Sequence, residues 1–298
     1  MMGSTRGVFF LRSLPVVAVL FALSFPLFSA AAFAQVNPKA EELYSRTEYE
    51  SSLALLDKNS GDGAVNNLIG RDYFMMGDFK KAVDFFGNAA AIDPTNSNYA
   101  LWLGRGWGRR AETSTPLLAP VYASKARQWF EKSVQLNNRN QEALSDLFDY
   151  YLEAPGFLGG GFDKAQRVAA QIASIDAAEG YFARARLAEQ RREYETAESQ
   201  LRHAIALAPL QVGRVLDLAK FLAKQGRVQE SDALFNKADQ MAPNTPKVWY
   251  ARADALIKQK RNLVEARELL QKYLQSQVTP DDPSKHDAER LLKQANGA

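Results

Sequence analysis

Residues 63–96 read GAVNNLIGRDYFMMGDFKKAVDFFGNAAAIDPTN, and the spacing of their apolar and small residues decides the fold. Counted from Gly63, Ile69, Gly70 and Tyr73 stand at positions 7, 8 and 11 of this stretch. Ala82, Phe86 and Ala89 stand at positions 20, 24 and 27, and Pro94 at position 32. Positions 4, 7, 8 and 11 recur as i, i+3, i+4 and i+7, which predicts one apolar face on a first helix. Positions 20, 24 and 27 predict a matching face on a second. Small residues at positions 8 and 20 let the two helix axes approach, and proline at position 32 stops the second helix.

The same pattern returns five more times. A unit from Ser97 has Leu103, Gly104 and Trp107, with its second helix delayed by about ten residues to Ala126, Phe130 and Ser133. A unit from Asn140 has Ala143, Leu147 and Tyr150, then Ala165, Ala169 and Ile172 after an insertion. The units from Ala178 and Val212 keep the period, with Ala185 and Ala197 in one and Ala219 and Ser231 in the other. The last starts at Pro246, with Trp249, Ala253 and Leu256 followed by Ala266, Leu270 and Tyr273. These positions resemble the tetratricopeptide (TPR) repeat. The loop YYLEAPGFLGGGFDKA, from Tyr150 to Ala165, is also similar to one found in uncharacterised exported bacterial proteins of that kind. The resemblance implies an all-α, right-handed superhelical solenoid of helix-turn-helix units that binds protein or peptide. It names no partner.

The expected organisation is a solenoid over 63–278, with insertions near 108–123 and 154–163. A degenerate capping repeat over 35–62 precedes it, with Tyr49, Ser52 and Leu56 echoing positions 17, 20 and 24. A capping helix over 279–298 follows Asp281-Asp-Pro-Ser and carries Ala288, Leu291 and Leu292 inward. Repeat arrays need such polar ends to cover an otherwise exposed apolar face.

Residues 1–34 read as a cleavable export signal. Arg6 and Arg12 precede the apolar run LPVVAVLFALSFPL, and Ala32-Phe-Ala34 supplies a small-residue cleavage site. The mature chain is expected to start at Gln35 and to be periplasmic or secreted. The alternative is a retained membrane anchor, which Pro15 and Pro26 argue against. Removing the segment leaves 35 basic against 34 acidic residues, so no global field draws the protein to nucleic acid or anionic lipid. No transmembrane segment is expected after cleavage.

No catalytic constellation, cofactor site or metal site emerges. The chain has no cysteine, which excludes disulfides, thiolate zinc sites and cysteine nucleophiles. Gly156-Phe-Leu-Gly-Gly-Gly161 has phosphate-loop spacing, but Phe162 and Asp163 stand where Lys and Ser or Thr are required. Asp57 to Gly63 lacks the glycine and glutamate of a calcium loop, because Asp62 and Leu68 hold those places. His203 and His286 are the only histidines and build no triad.

A partner is expected on the first helices, which line the concave face. The residues expected there are Asn67, Arg71 and Phe74, then Leu101, Arg105 and Arg109, then Phe148 and Tyr151, and finally Phe182, Arg186, Lys220 and Tyr250. Few acidic residues join them, among them Glu179, Glu189 and Asp254. The series predicts a basic, aromatic groove suited to a peptide with acidic groups, arginine and aromatics being enriched at binding hot spots. Two other readings remain open. One is an assembly subunit acting through its convex face or the Gly159–Gly161 loop. The other is a glycan site built on a cluster of Trp102 with Phe148 and Tyr151.

Overall fold

A computed structural model describes residues 36–297, so the export-signal reading of 1–34 lies outside the described residues. The described chain is helical and contains no strand. Four of the pairs open on a side-chain cap. Asp62, Asn96, Asn140 and Asp176 accept hydrogen bonds from the first free N–H groups of α3 (Gly63–Met75), α5 (Ser97–Thr113), α7 (Gln141–Glu153) and α9 (Ala177–Gln190). Their partners are α4 (Phe79–Ile92), α6 (Ala119–Leu136), α8 (Phe162–Ile175) and α10 (Tyr194–Leu207). Two further pairs follow, α11 (Val212–Lys224) with α12 (Val228–Met241) and α13 (Pro246–Lys258) with α14 (Leu263–Gln275). The ends are the short pair α1 (Pro38–Ser45) and α2 (Tyr49–Ala54), and the single helix α15 (Lys285–Gly297).

The tight turns inside the short-linked pairs each use a left-handed residue. Gly77 and Gly226 take it at φ 83° and 73°, while Thr47, Arg192 and Lys260 take it with a side chain attached, at φ 61°, 62° and 52°. The small-residue contact explains glycine at position 8. A Cβ added at Gly70 would lie 2.5 Å from the Phe86 ring, and one at Gly104 would lie 2.6 Å from the Phe130 ring. Each glycine thus seats the aromatic residue at position 24 of its own second helix. Phe86 is fully buried as a result.

Two layers follow. Second helices pack between successive first helices, and α3, α5, α7 and α9 also touch one another in turn. These first helices form the inner wall. The insertion after α7 is tied down: Gly156–Leu158 form a 3-10 turn, the Tyr150 hydroxyl donates to Leu158 O, and Gly161 N donates to Tyr151 O. Gly160 is required there, since a Cβ would collide with the Ala154 carbonyl oxygen at 1.8 Å. Asp57–Ser60 is a plain connecting turn ahead of the Asp62 cap.

The last segment does more than cap its own end. Val278 is buried, the Tyr273 hydroxyl donates to Pro283 O, and Ser284 caps α15 through Asp287. From this base α15 reaches back to the early repeats. Arg109 of α5 donates to Asp287 at 2.8 Å, a contact spanning 178 residues, and the His286 ring sits against Gly77.

Candidate functional site

The inner wall holds a cleft of about 710 Å³ between α3, α5 and α7 on one side and the Pro280–Asp287 segment on the other. Phe74, Phe79, Trp102 and Phe130 give it apolar walls. Phe74 meets Phe79 and Trp102 edge-on at 5.4 and 5.6 Å, which fixes its ring. Trp102 lies between two guanidinium groups, with Arg71 at 4.9 Å and Arg105 at 4.8 Å from its ring centre. A smaller polar recess adjoins it, lined by Asn67, Arg71, Asn98, Tyr99, Glu142 and Asp281.

The expected arginine series is present, but most of its charge is spoken for. Arg105 binds Asp146 at 2.6 Å and Glu142 at 2.9 Å. Arg109 binds Asp287 and Glu112 at 2.8 and 2.9 Å and covers the Phe79 ring. Arg186 spans Asp149 and Glu153 at 3.2 and 2.8 Å. Lys220 pairs with Asp217 at 3.0 Å. Arg71 differs: among the described residues it has no carboxylate partner, and it stacks on Tyr44 while donating Nε–H to the Tyr44 hydroxyl. Beside it, Asn67 Oδ1 is buried without a hydrogen-bond partner. Phe182 lies under Arg214, and Tyr250 packs on Tyr273 with its hydroxyl pKa pushed up to about 12 by burial.

Three expected groove residues are elsewhere. Leu101 is 1% exposed and Phe148 is 3% exposed, both in the core. Leu101 shares a buried cluster with Leu144, Leu147 and Phe148 of α7, the neighbouring first helix. Phe148 and Tyr151 are misplaced for a different reason. Asn140 is the N-cap of α7, so the repeat begins at Gln141, one residue later than the spacing from Asn140 implies. One residue turns a helix face by about 100°. The stripe of α7 that packs into the core is then Leu144, Leu147, Phe148 and Tyr151, and the Tyr151 hydroxyl donates to Glu131 of α6 at 2.7 Å. The Trp102–Phe148–Tyr151 cluster of the glycan reading is therefore not assembled.

The same rotation brings a face that the sequence reading missed into the groove. Glu142, Asp146, Asp149 and Glu153 recur at i, i+4, i+7 and i+11 along α7 and point inward, the last three lining the cleft itself. Asp149 looks into the cleft half exposed, yet the surrounding walls strip enough solvent to push its pKa up to about 6 despite Arg186, with Glu153 and Asp146 adding repulsion. Burial raises Asp146 as well, against the pull of Arg105. The Asn140 cap was the signal that could have revealed this stripe. The second missed element is the Pro280–Asp287 wall, for which no local signal exists.

His203 bonds to Ser199 O and stacks on Tyr181, so its ring serves the convex layer. Among the described residues no group of three His, Asp or Glu side chains could hold a metal ion, and no helix is long and apolar enough to cross a membrane.

No family model matches the sequence, and no curated protein matches it. Solved structures do. A thermophilic TPR protein from Thermus thermophilus superposes with a TM-score of 0.52 at 19% identity, over 62% of this chain and 96% of that one. A tetratricopeptide repeat protein from Parabacteroides merdae superposes with a TM-score of 0.55 at 15% identity, over 87% of this chain and all of that one. At such identities the likeness concerns backbone architecture. Helical pairs, small-residue seats and structural neighbours agree: this chain has the tetratricopeptide-repeat fold.

Proposed function

We propose that the protein is an exported, non-catalytic scaffold that holds a protein or peptide partner in its concave groove. The cleft walled by Phe74, Phe79, Trp102 and Phe130 carries this reading, because it is concave, aromatic and large enough for several residues of an extended chain. Export rests on residues 1–34, with cleavage after Ala34 and a mature periplasmic or secreted form. A partner rich in acidic groups would suit the arginine series alone. In the central repeats it would have to displace the carboxylates that already hold Arg105, Arg109 and Arg186. Among the described groove residues, the Arg71 end offers the guanidinium free of such competition.

Site-specific photocrosslinking in the living host tests the groove. Gly108 lines the cleft with open space above it, and Leu210 is 92% exposed on a loop between units. A benzophenone side chain at position 108 should give discrete adducts, and one at position 210 should not. Adducts at 210 alone would move the binding surface away from the groove. Mass spectrometry of the same protein from envelope fractions should show Gln35 as the first residue.

A further inference from the structure

The cleft carries unbalanced charge. Its walls hold Arg105 and Arg109 against Glu112, Asp146, Asp149, Glu153, Asp282 and Asp287. Both arginines are already neutralised by members of this set. Asp149 and Glu153 share the single cation Arg186, which stands outside the cleft. Asp282 has no cationic partner among the described residues and accepts only from Thr279. Asp146 and Asp149 hold protons more tightly than free carboxylates do, as expected of groups short of solvent.

We propose that the cleft takes an extended peptide through a lysine or arginine side chain, its aliphatic stem along Phe74, Phe79 and Trp102 and its cation on the α7 carboxylates. The inference rests on the concave-groove reading and adds the partner's chemistry to it. Long basic side chains match such a site because their stems bury against apolar walls while the charged end stays polar. Aromatic faces add attraction for a cation. An acidic side chain would enter against surplus negative charge, which costs affinity and so gives selectivity. A bare metal ion does not fit, since no three of these carboxylates converge closely enough to hold one.

The test uses fluorescein-labelled nonapeptide mixtures of Ala, Ser, Leu and Phe, with the central position fixed as Lys, norleucine or Glu. Anisotropy titrations on the full chain should give tenfold or tighter binding for Lys over norleucine, and the weakest binding for Glu. In the Asp149→Asn, Glu153→Gln double variant the Lys mixture should fall to the norleucine level. Unchanged norleucine binding there shows that the variant is folded. Trp102→Ala should weaken all three mixtures. If norleucine or Glu binds as well as Lys while Trp102→Ala still weakens binding, the charge proposal fails and the groove reading stands. If no mixture binds, or if Trp102→Ala changes nothing, both are overturned.

Discussion

Replacing Asp287 with Asn tests whether the far end of the array is tied to its beginning. Asp287 and Arg109 are 20% and 22% exposed and 2.8 Å apart. At an effective dielectric constant near 20, opposite charges at this distance attract by about 6 kcal/mol, and desolvation and side-chain ordering remove most of it. A net value of about 1–2 kcal/mol remains, or roughly a 5- to 30-fold change in the opening equilibrium of α15. Amide hydrogen exchange measures that equilibrium directly. Amides of α15 should exchange about 5- to 30-fold faster in Asp287→Asn, while those of α8 and α10 keep their rates. Arg109→Ala should reproduce the effect, and the double variant should add little to either single one. That control separates the contact from any effect of charge at the start of α15. The carboxyl of Asp287 has a lowered pKa, because its bonds to Ser284, Arg109 and Arg290 outweigh burial. Its contribution is therefore fully present above the ordinary carboxylate range and is lost as pH falls through the lowered value. From pH 5 to 8 the exchange ratio should be constant. Equal α15 rates in wild type and both variants would refute the link.

Three other substitutions probe the framework. Gly70→Ala should destabilise the chain by about 1–3 kcal/mol through the collision with Phe86, less the roughly 1 kcal/mol that alanine gains over glycine in a helix. Gly87→Ala, with open space around it, should stabilise by about 0.5–1 kcal/mol, and urea melts showing the two alike would contradict the seat. Asp72 is fully buried, bonded only by Ser52 with Oδ1 unpartnered, and burial pushes its pKa up to about 7. Because the folded state holds this proton more tightly, its stabilising effect is present at acid pH and lost as pH rises through 7. Asp72→Asn should accordingly gain about 2–3 kcal/mol on wild type between pH 5 and 8, and parallel pH profiles in denaturant melts would count against that assignment.

The sequence made the helices legible because a repeat states its core pattern many times. Ile69, Gly70 and Phe86 mark positions whose packing recurs in most pairs, so misreading one unit leaves the fold intact. The groove face has no such redundancy. Its chemistry depends on the angular setting of each helix, and the misassigned start at Asn140 replaced the Glu142–Glu153 stripe with Phe148 and Tyr151. Leu101 was misread because the inner wall is continuous, so a position that points away from its own partner helix is covered by the next first helix. The bonds from Arg109 to Asp287 and from Arg186 to Asp149 join residues 178 and 37 positions apart, and no periodicity within one repeat encodes them.

The bond from Arg109 to Asp287 bears on how the protein could change in evolution. An open solenoid can lose or duplicate a repeat and remain itself, because each unit meets only its neighbours. Here the unit that carries α5 also meets α15, and every intervening pair sets the rise and turn that bring them together. Deleting one pair would carry Asp287 past its arginine and pull the Pro280–Asp287 wall off the cleft. A change in repeat number would therefore cost this contact, which an open solenoid does not have to keep.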